Sequence, residues 1–391
     1  MSSLQLIIWP RDILFCRDAR PIGGAAIGSG GSWPLPGTFH NALLAALYRC
    51  LDLTPQEGRE NRLLQSLRTA GPFPFSGKEK EIYFPTPGDL LPGGKLYPAV
   101  NRGVNNLPRP LSMVLNSTGA PTKEKLNPWI AASELKRYVN GETDDIKTIP
   151  SEELFGTELR PGIGIDRVKR VAAEKKFYMA EYLRLRDEHD VTMTAFAEMN
   201  GEILNDIFAE KGSIDFCFGG QRGLASIAVL RDCGAESWLP FAPSITDNGN
   251  ECMVKWVLLT PAMFNAGFLP DWVNPENGQV MLPSGETTRH PGESRRDWRR
   301  RLQSLPPIRA KLVAAKVDKP IAASGWKLNG GTELAAGIPR ATRLLVPPGS
   351  VYYFKCENPE ETRRLHRSLY GRSMSGSNGE QGLGIGITAN V

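Results

Sequence analysis

The segment 371–387 (GRSMSGSNGEQGLGIGI) constrains this chain most, because six of its residues are glycine: Gly371, Gly376, Gly379, Gly382, Gly384 and Gly386. Residues 360–370 just before it carry Glu360 and Glu361 first and Arg363, Arg364 and Arg367 later, the order that suits a helix dipole. Gly371 fits the left-handed residue that ends such a helix. Ile385, Ile387 and Ala389 then alternate as a closing strand does. Between helix and strand, glycines either bring main chain close to a ligand, offering N–H groups to phosphate oxygens, or form a flexible tail. The stretch alone does not choose between them.

Elsewhere the sequence reads as many short elements. With 391 residues it has room for two domains. The 40 glycines and 31 prolines favour loops over long helices. A net charge of +5 excludes a uniformly basic surface, so any nucleic-acid site must come from local clustering of Lys and Arg. The six cysteines form no C-x-x-C pair, which argues against a zinc site or a disulfide framework and for a reducing, cytoplasmic setting. No apolar run approaches membrane length, so no membrane contact is expected.

In chain order, 4–16 is strand-like, and Thr38 is a plausible cap for a helix bearing Phe39, Leu43, Ala46 and Leu47 on one face. Residues 54–162 read as a long, partly irregular insertion. Residues 174–186 fit an amphipathic helix or a strand equally well. A second unit is expected from 190, with strands at 191–197, 214–218, 224–230, 253–259, 321–326 and 350–355 and short helices at 203–209 and 261–268. Residues 289–316 hold nine Lys/Arg against Glu293 and Asp297. The arginines 295, 296 and 299–301 around Trp298 offer phosphates and a stacking surface, although such runs are usually only solvated.

Chemistry-bearing motifs are sparse. The four histidines are not paired with each other or with Cys at metal spacing, so neither metal nor cofactor is expected. The run Gly382-x-Gly384-x-Gly386 lacks the following helix and acid of a dinucleotide site. Gly219-Gly220-Gln221-Arg222-Gly223 sets a guanidinium among open backbone, suited to a phosphate or base, or forms a plain tight hairpin.

Several blocks share an order along the whole chain: Pro10-Arg11-Asp12 with Phe15, Arg17-Asp18 and Arg20-Pro21; Trp33-Pro34-Leu35-Pro36 with Ala42-Leu43; and Pro85-Thr86-Pro87-Gly88-Asp89-Leu90-Leu91. They continue with Gly164-Ile165-Asp166-Arg167, Ala172-Ala173-Glu174 and Phe177-Tyr178, then 219–223, Gly325-Trp326 and Gly349-Ser350-Val351-Tyr352-Tyr353-Phe354. In this the chain resembles the RAMP superfamily of CRISPR-associated proteins, and within it the third Cmr-type subunit of type III-B effector complexes. Gln221 stands where that family usually has Glu, and Asn41 where a small residue is common.

The resemblance implies an α+β protein of two ferredoxin-like (RRM-like, RAMP) domains with long insertions. We expect them at 1–189, with the insertion at 54–162, and at 190–391, with a basic insertion at 286–318. It makes 177–186 a strand. The implied role is non-catalytic: to hold the 5′ repeat-derived tag of the CRISPR RNA and to dock the large polymerase-like subunit and a backbone RAMP subunit. The RNA-binding residues it points to are Arg17, Arg20, His40, Asn41, Arg167, Lys169, Gly219, Gly220, Gln221, Arg222, Gly223, Gln381, Gly382, Leu383 and Gly384. The alternative within the superfamily is a metal-independent endoribonuclease with His40 as general base.

Overall fold

A computed structural model describes residues 3–17, 27–28, 31–100, 103, 105–120, 123–166, 168–221, 223–230, 239, 252–285, 290, 292–327, 338–389 and 391. The first unit opens with β1 (Leu4–Pro10), α1 (Pro36–Cys50) and β2 (Arg68–Ser76). Three short strands follow, β3 (Glu81–Pro85), β4 (Trp129–Ala131) and β5 (Thr148–Ile149), with α2 (Ala132–Val139) between the last two. A long antiparallel arm is built from β6 (Phe155–Ile165) and β7 (Ala172–Leu185). The unit closes with β8 (Val191–Glu198), α3 (Ile203–Lys211), β9 (Ser213–Cys217) and β10 (Leu224–Val229).

Apart from the β6–β7 arm, these strands form one sheet in the order β9-β10-β1-β8-β2-β3-β4-β5. Within it, β1-α1-β2-β8-α3-β10 runs β-α-β-β-α-β with sheet order 4-1-3-2, all antiparallel, which is the ferredoxin arrangement. The break expected at 189/190 therefore separates strands that pair, since β8 and β10 flank β1 on both sides. Likewise, β2 lies at 68–76, inside the stretch read as an insertion, yet it is a strand of the main sheet. Thr38 does not cap α1: the helix starts at Pro36 after extended Leu35, with no side-chain cap, and Pro36 fits the first turn because its missing N–H has no partner to lose.

The second unit contains β11 (Met253–Leu258), α4 (Arg295–Ser304), β12 (Ala310–Lys316), β13 (Val351–Cys356), α5 (Pro359–Leu369) and β14 (Gly386–Ala389). Its sheet order is β12-β13-β11-β14, again 4-1-3-2, and the helix described in the first crossover, α4, has no buried residue. The helix expected at 261–268 is absent. Two bridges, Ala262 to Val346 and Ala266 to Leu269, and a left-handed Gly267 (φ 71°) fold that stretch as turns. Its buried Ala262, Phe264 and Leu269 nevertheless cover the sheet face beside Leu365 and Leu369 of α5. The strand expected at 321–326 is split into two short pieces outside the main sheets.

Alternation along the strands sorts three of the four cores. Leu6 and Ile8 face α1 and α3, whereas Ile7 of β1 and Phe196 of β8 share a core with Val257, Val351, Tyr353 and Ile387 of the second sheet. Trp256, Tyr352 and Phe354 point the other way, toward α5. The shared core also takes Leu135, Tyr138 and Val139 of α2, so the insertion packs against both units.

A buried ion pair lies in that region. Lys255 of β11 places Nζ 3.1 Å from Asp89 Oδ2, and both side chains are at most 2% exposed. Tyr138 donates its hydroxyl to Asp89 Oδ1 at 2.7 Å, and Tyr353 to Oδ2 at 3.0 Å. Lys255 Nζ also sits 3.9 Å from the centre of the Tyr138 ring. Burial depresses the Lys255 pKa, and the neighbouring Asp89 works against that depression.

His366 on α5 pairs through Nδ1 with Thr388 Oγ1 of β14. Burial, helped by Arg367, pushes its pKa down to about 4, and burial lowers His40 as well. Between pH 6.5 and 4 the unfolded chain therefore binds more protons than the folded one. Stability is fully present above pH 6.5 and is lost as pH falls toward 4, at up to about 1.4 kcal/mol per pH unit for His366. Urea midpoints measured from pH 7 to 4 are expected to show this slope, and His366→Gln to flatten it. An unchanged slope in that variant would assign the acid sensitivity to other groups.

Candidate nucleic-acid interface

The last glycine run is a strap between the two units. Asn378 (φ 55°) and a single turn at Gly379–Gln381 lead into Gly382 (φ 88°), which lies against β2. A methyl group at Gly382 would stand 2.7 Å from Thr69 O and 3.3 Å from Ala70 Cα. On its other side the strap meets the first turn of α1, where a methyl at Gly37 would be 2.8 Å from Gln381 Oε1 and 4.0 Å from Asn41 Nδ2. Asn41 Nδ2 itself donates to Gly37 O at 2.6 Å.

Four of the strap's glycine amides are engaged within the protein. Gly371 N–H donates to Gly386 O (2.9 Å), Gly376 N–H to Met263 O (2.9 Å), Gly382 N–H to Gly379 O (3.0 Å) and Gly384 N–H to Pro261 O (2.7 Å). The close approach that these glycines permit is to the protein's own main chain. Gly382, Leu383 and Gly384 are buried, while Gln381 is half-buried and Glu380 exposed. This corrects the expectation that residues 382–384 face a ligand.

His40 is also withdrawn from solvent. It is 5% exposed, with Nδ1 3.1 Å from Thr69 Oγ1. A general base for RNA cleavage must reach the 2′-hydroxyl it deprotonates. His40 is held in the seam under the strap instead, so it is presented neither as a base nor as an RNA contact.

Residues 218–221 and 223 close a tight hairpin. Gly219 (φ 77°) and Gln221 (φ 54°) make the turn, and the Phe218 N–H donates to Gly223 O at 2.8 Å. Gly220 N–H donates to Phe15 O at 2.7 Å, and a methyl at Gly219 would meet that same oxygen at 3.0 Å. The hairpin therefore sits beside Phe15 and Cys16, next to exposed Arg17. Gln221 is exposed as well. Phe218, one residue before the hairpin, packs edge-on against Phe39, one residue before His40, with ring centres 6.4 Å apart. The strap thus borders the first turn of α1, and Phe218 ties the base of the hairpin to the same helix through Phe39.

Lys169 stands apart. It lies at the exposed tip of the β6–β7 arm, in a turn where Asp166 Oδ1 accepts from the amides of Val168 (2.8 Å) and Lys169 (3.0 Å). The arm is anchored at Leu183, whose main chain pairs with Leu14. At about 3.3 Å per residue the tip is roughly 35 Å along the arm from that anchor. Asp12, Glu158, Arg160 and Arg184 form an ion-pair network near the anchor, and Arg11 pairs with Asp215 at 2.5 Å. Arg11 and Asp12 of the Pro10-Arg11-Asp12 block are thus both paired within the protein. Arg20, Arg167 and Arg222 lie outside the described residues.

Two further basic residues, which no sequence motif marks, adjoin the strap. A cleft of about 610 Å³ runs between the units, lined by Arg68, Thr69 and Glu198 on one wall and by Arg372, Ser373 and Gly379 on the other. Arg68 and Arg372 are exposed. Arg372 follows the helix-ending Gly371 (φ 67°), so the cap aims the chain along the cleft. Among the described residues no group of three or more His, Cys, Asp or Glu is arranged to hold a metal, and no helix is long and apolar enough to cross a membrane.

The family model for CRISPR-associated protein (Cas_Cmr3) matches residues 6–388. The chain belongs to this family. It is a Cmr3-type CRISPR-associated protein, with the mixed α+β architecture expected of it. Among solved structures it is similar to a chain in the cryo-EM structure of the Type III-B Cmr-beta bound to cognate target RNA and AMPPnP (state 1). That match has 14% identity and a TM-score of 0.42, and covers 89% of this chain and 86% of that one. A chain in the crystal structure of the Csm3-Csm4 subcomplex of the type III-A CRISPR-Cas interference complex is similar at 10% identity and a TM-score of 0.40, covering 91% and 100%. No curated protein matches the chain.

The Cmr3-type motif Pro85–Leu91 has a clear structural use here. Its Asp89 is the buried acid that meets Lys255. The Gly349-to-Phe354 block supplies β13, including Tyr353 of the same cluster.

Proposed function

We propose that this Cmr3-type subunit is non-catalytic and holds the 5′ repeat-derived tag of the CRISPR RNA along the seam between its two units. One observation carries the reading. The strap closes over the first turn of α1 and leaves a cleft with an arginine on each wall, Arg68 and Arg372. Single-stranded RNA is held by a few guanidinium groups, amide side chains and close backbone rather than by a uniformly basic surface. Asn41 and Gln381 supply such groups beside Gly37 of α1, and Arg17 and Gln221 are exposed near Phe15 and the hairpin. The buried histidine at the seam favours this reading over cleavage chemistry.

The β6–β7 arm supports docking of the large polymerase-like subunit or a backbone RAMP subunit. Leu159, Ile163, Ile165, Val168 and Phe177 are each more than half exposed along it, and Ile163 pairs with Phe177 across the two strands. Exposed apolar surface of that extent is characteristic of a protein contact.

The RNA reading is tested by titrating the protein with a labelled RNA bearing the tag and with the same RNA lacking it. Arg17→Ala and Arg68→Ala are each expected to weaken tag binding and to lower the slope of log K against log salt by about 0.7 for each phosphate left unneutralised. Equal affinity of the wild-type chain for both RNAs would overturn it.

A further inference from the structure

The arginine-rich insertion of the second unit has no part in the strap or its cleft. Helix α4 turns Trp298, Leu302 and Leu305 inward, all half-buried, while Arg301 forks Glu293 at 2.9 and 3.0 Å. Its outward face is Arg295, Arg296, Arg299, Arg300 and Gln303, which together line a shallow groove. Ser294 caps the helix by accepting the Asp297 amide at 3.1 Å. Arg300 reaches Asp297 only at 3.5 Å, and Arg295, Arg296 and Arg299 have no acidic partner among the described residues. Arg295 with Arg299, and Arg296 with Arg300, are like charges four residues apart, a spacing that weakens a helix. No residue of α4 is fully buried, so only its half-buried inner face and the Arg301–Glu293 pair offset that repulsion.

We propose that this face is a second RNA contact, which grips the phosphates of a single strand outside the tag. All five cations of the helix are arginines, whose planar forks take phosphate oxygens in pairs, and none is lysine. Arg295 and Arg299 are separated by about 6 Å of helix rise, a step that suits successive phosphates of an extended strand. A nucleic-acid strand carries an unbroken charge at every nucleotide, so one occupant meets all four outward arginines. An acidic protein surface would have to reproduce that array with separate carboxylates. The chain as a whole carries only +5, so this local concentration is what attracts a polyanion.

The test uses the full chain and three labelled probes, a 30-nucleotide oligouridylate without tag, a short RNA consisting of the tag alone, and polyglutamate. The variant replaces Arg295, Arg296, Arg299 and Arg300 by alanine, which suits an exposed helix and leaves its half-buried face intact. For the oligouridylate, the slope of log K against log salt is expected to fall by about 3. The ratio of affinities at 50 and 200 mM salt then shrinks about 50-fold. Tag binding is expected to be unchanged. The matching four-lysine variant should keep the slope and bind more weakly. An unchanged oligouridylate slope overturns the proposal, as does an equal loss for both probes. So does a loss confined to a polyglutamate probe, which would assign the face to an acidic protein. A wild-type chain that does not distinguish tagged from untagged RNA would defeat the tag reading while leaving this one standing.

Discussion

Replacing Lys255 by methionine is expected to lower the unfolding free energy by about 3–5 kcal/mol, because it strands the Asp89 carboxylate in a region with no access to water. Asp89 is 0% exposed, and among the described residues its carboxylate takes hydrogen bonds only from Tyr138 and Tyr353 besides the ammonium. Two phenols solvate a carboxylate but do not neutralise it. Combining Lys255→Met with Asp89→Asn should recover most of the loss, since the amide remains an acceptor for a phenol and carries no charge. Tyr353→Phe alone should cost about 1–3 kcal/mol, the range for removing one partner of a buried hydrogen bond. Equilibrium urea unfolding of the two singles and the double completes a mutant cycle. Additive losses would mean that the two charges do not depend on each other. The prediction reaches past stability, because Asp89 belongs to the first unit's insertion and Lys255 to the second unit's sheet. Losing the pair loosens the seam that the RNA reading depends on.

What could be read from the sequence follows from how each element is held. β1, β8, β11 and β13 alternate apolar residues between two packed faces, and α5 carries its acids first and its bases last, so pattern alone finds them. β2 escapes because its sequence, RTAGPFPFS, has a glycine and two prolines, which argue against a central strand. A register shift in its pairing with β8 between Thr194 and Phe196, and Gly71 at φ 97°, absorb them. Residues 261–268 have apolar spacing that imitates a helix, but they pack as turns. The absence of a strand pattern at β2 also explains the misplaced domain break, since without that strand the first sheet looks complete only up to residue 189. The buried pair does leave a signal, a lone Lys255 inside the apolar run MVKWVL. Its partner is 166 residues away, and no periodicity reports that distance. At the candidate site the hairpin and strap are visible as glycine clusters. Arg68 and Arg372 are not, because nothing local distinguishes an arginine that lines a cleft from one that faces open solvent.

The substitution Gly382→Ala is the sharper test of the strap. Two separate costs act there. A left-handed backbone at φ 88° disfavours any side chain by about 1–2 kcal/mol. The added methyl would also stand 2.7 Å from Thr69 O, a main-chain atom of β2 that cannot swing aside, and crowding of that kind adds about 1–3 kcal/mol. The expected loss is therefore about 2–5 kcal/mol. Gly93→Ala isolates the first cost, because Gly93 has φ 72° and no atom within 4 Å of the new methyl. Relief of the clash requires the strap to lift from β2, which carries Gln381 away from Gly37 and Asn41. Gly382→Ala should accordingly weaken tag-RNA binding at temperatures where the protein is still folded, while Gly93→Ala should leave it unchanged. If Gly382→Ala costs no more than Gly93→Ala, the main-chain contact between strap and β2 is not what closes the seam. RNA affinity equal in the two variants would separate the strap from RNA binding even if the stability difference held.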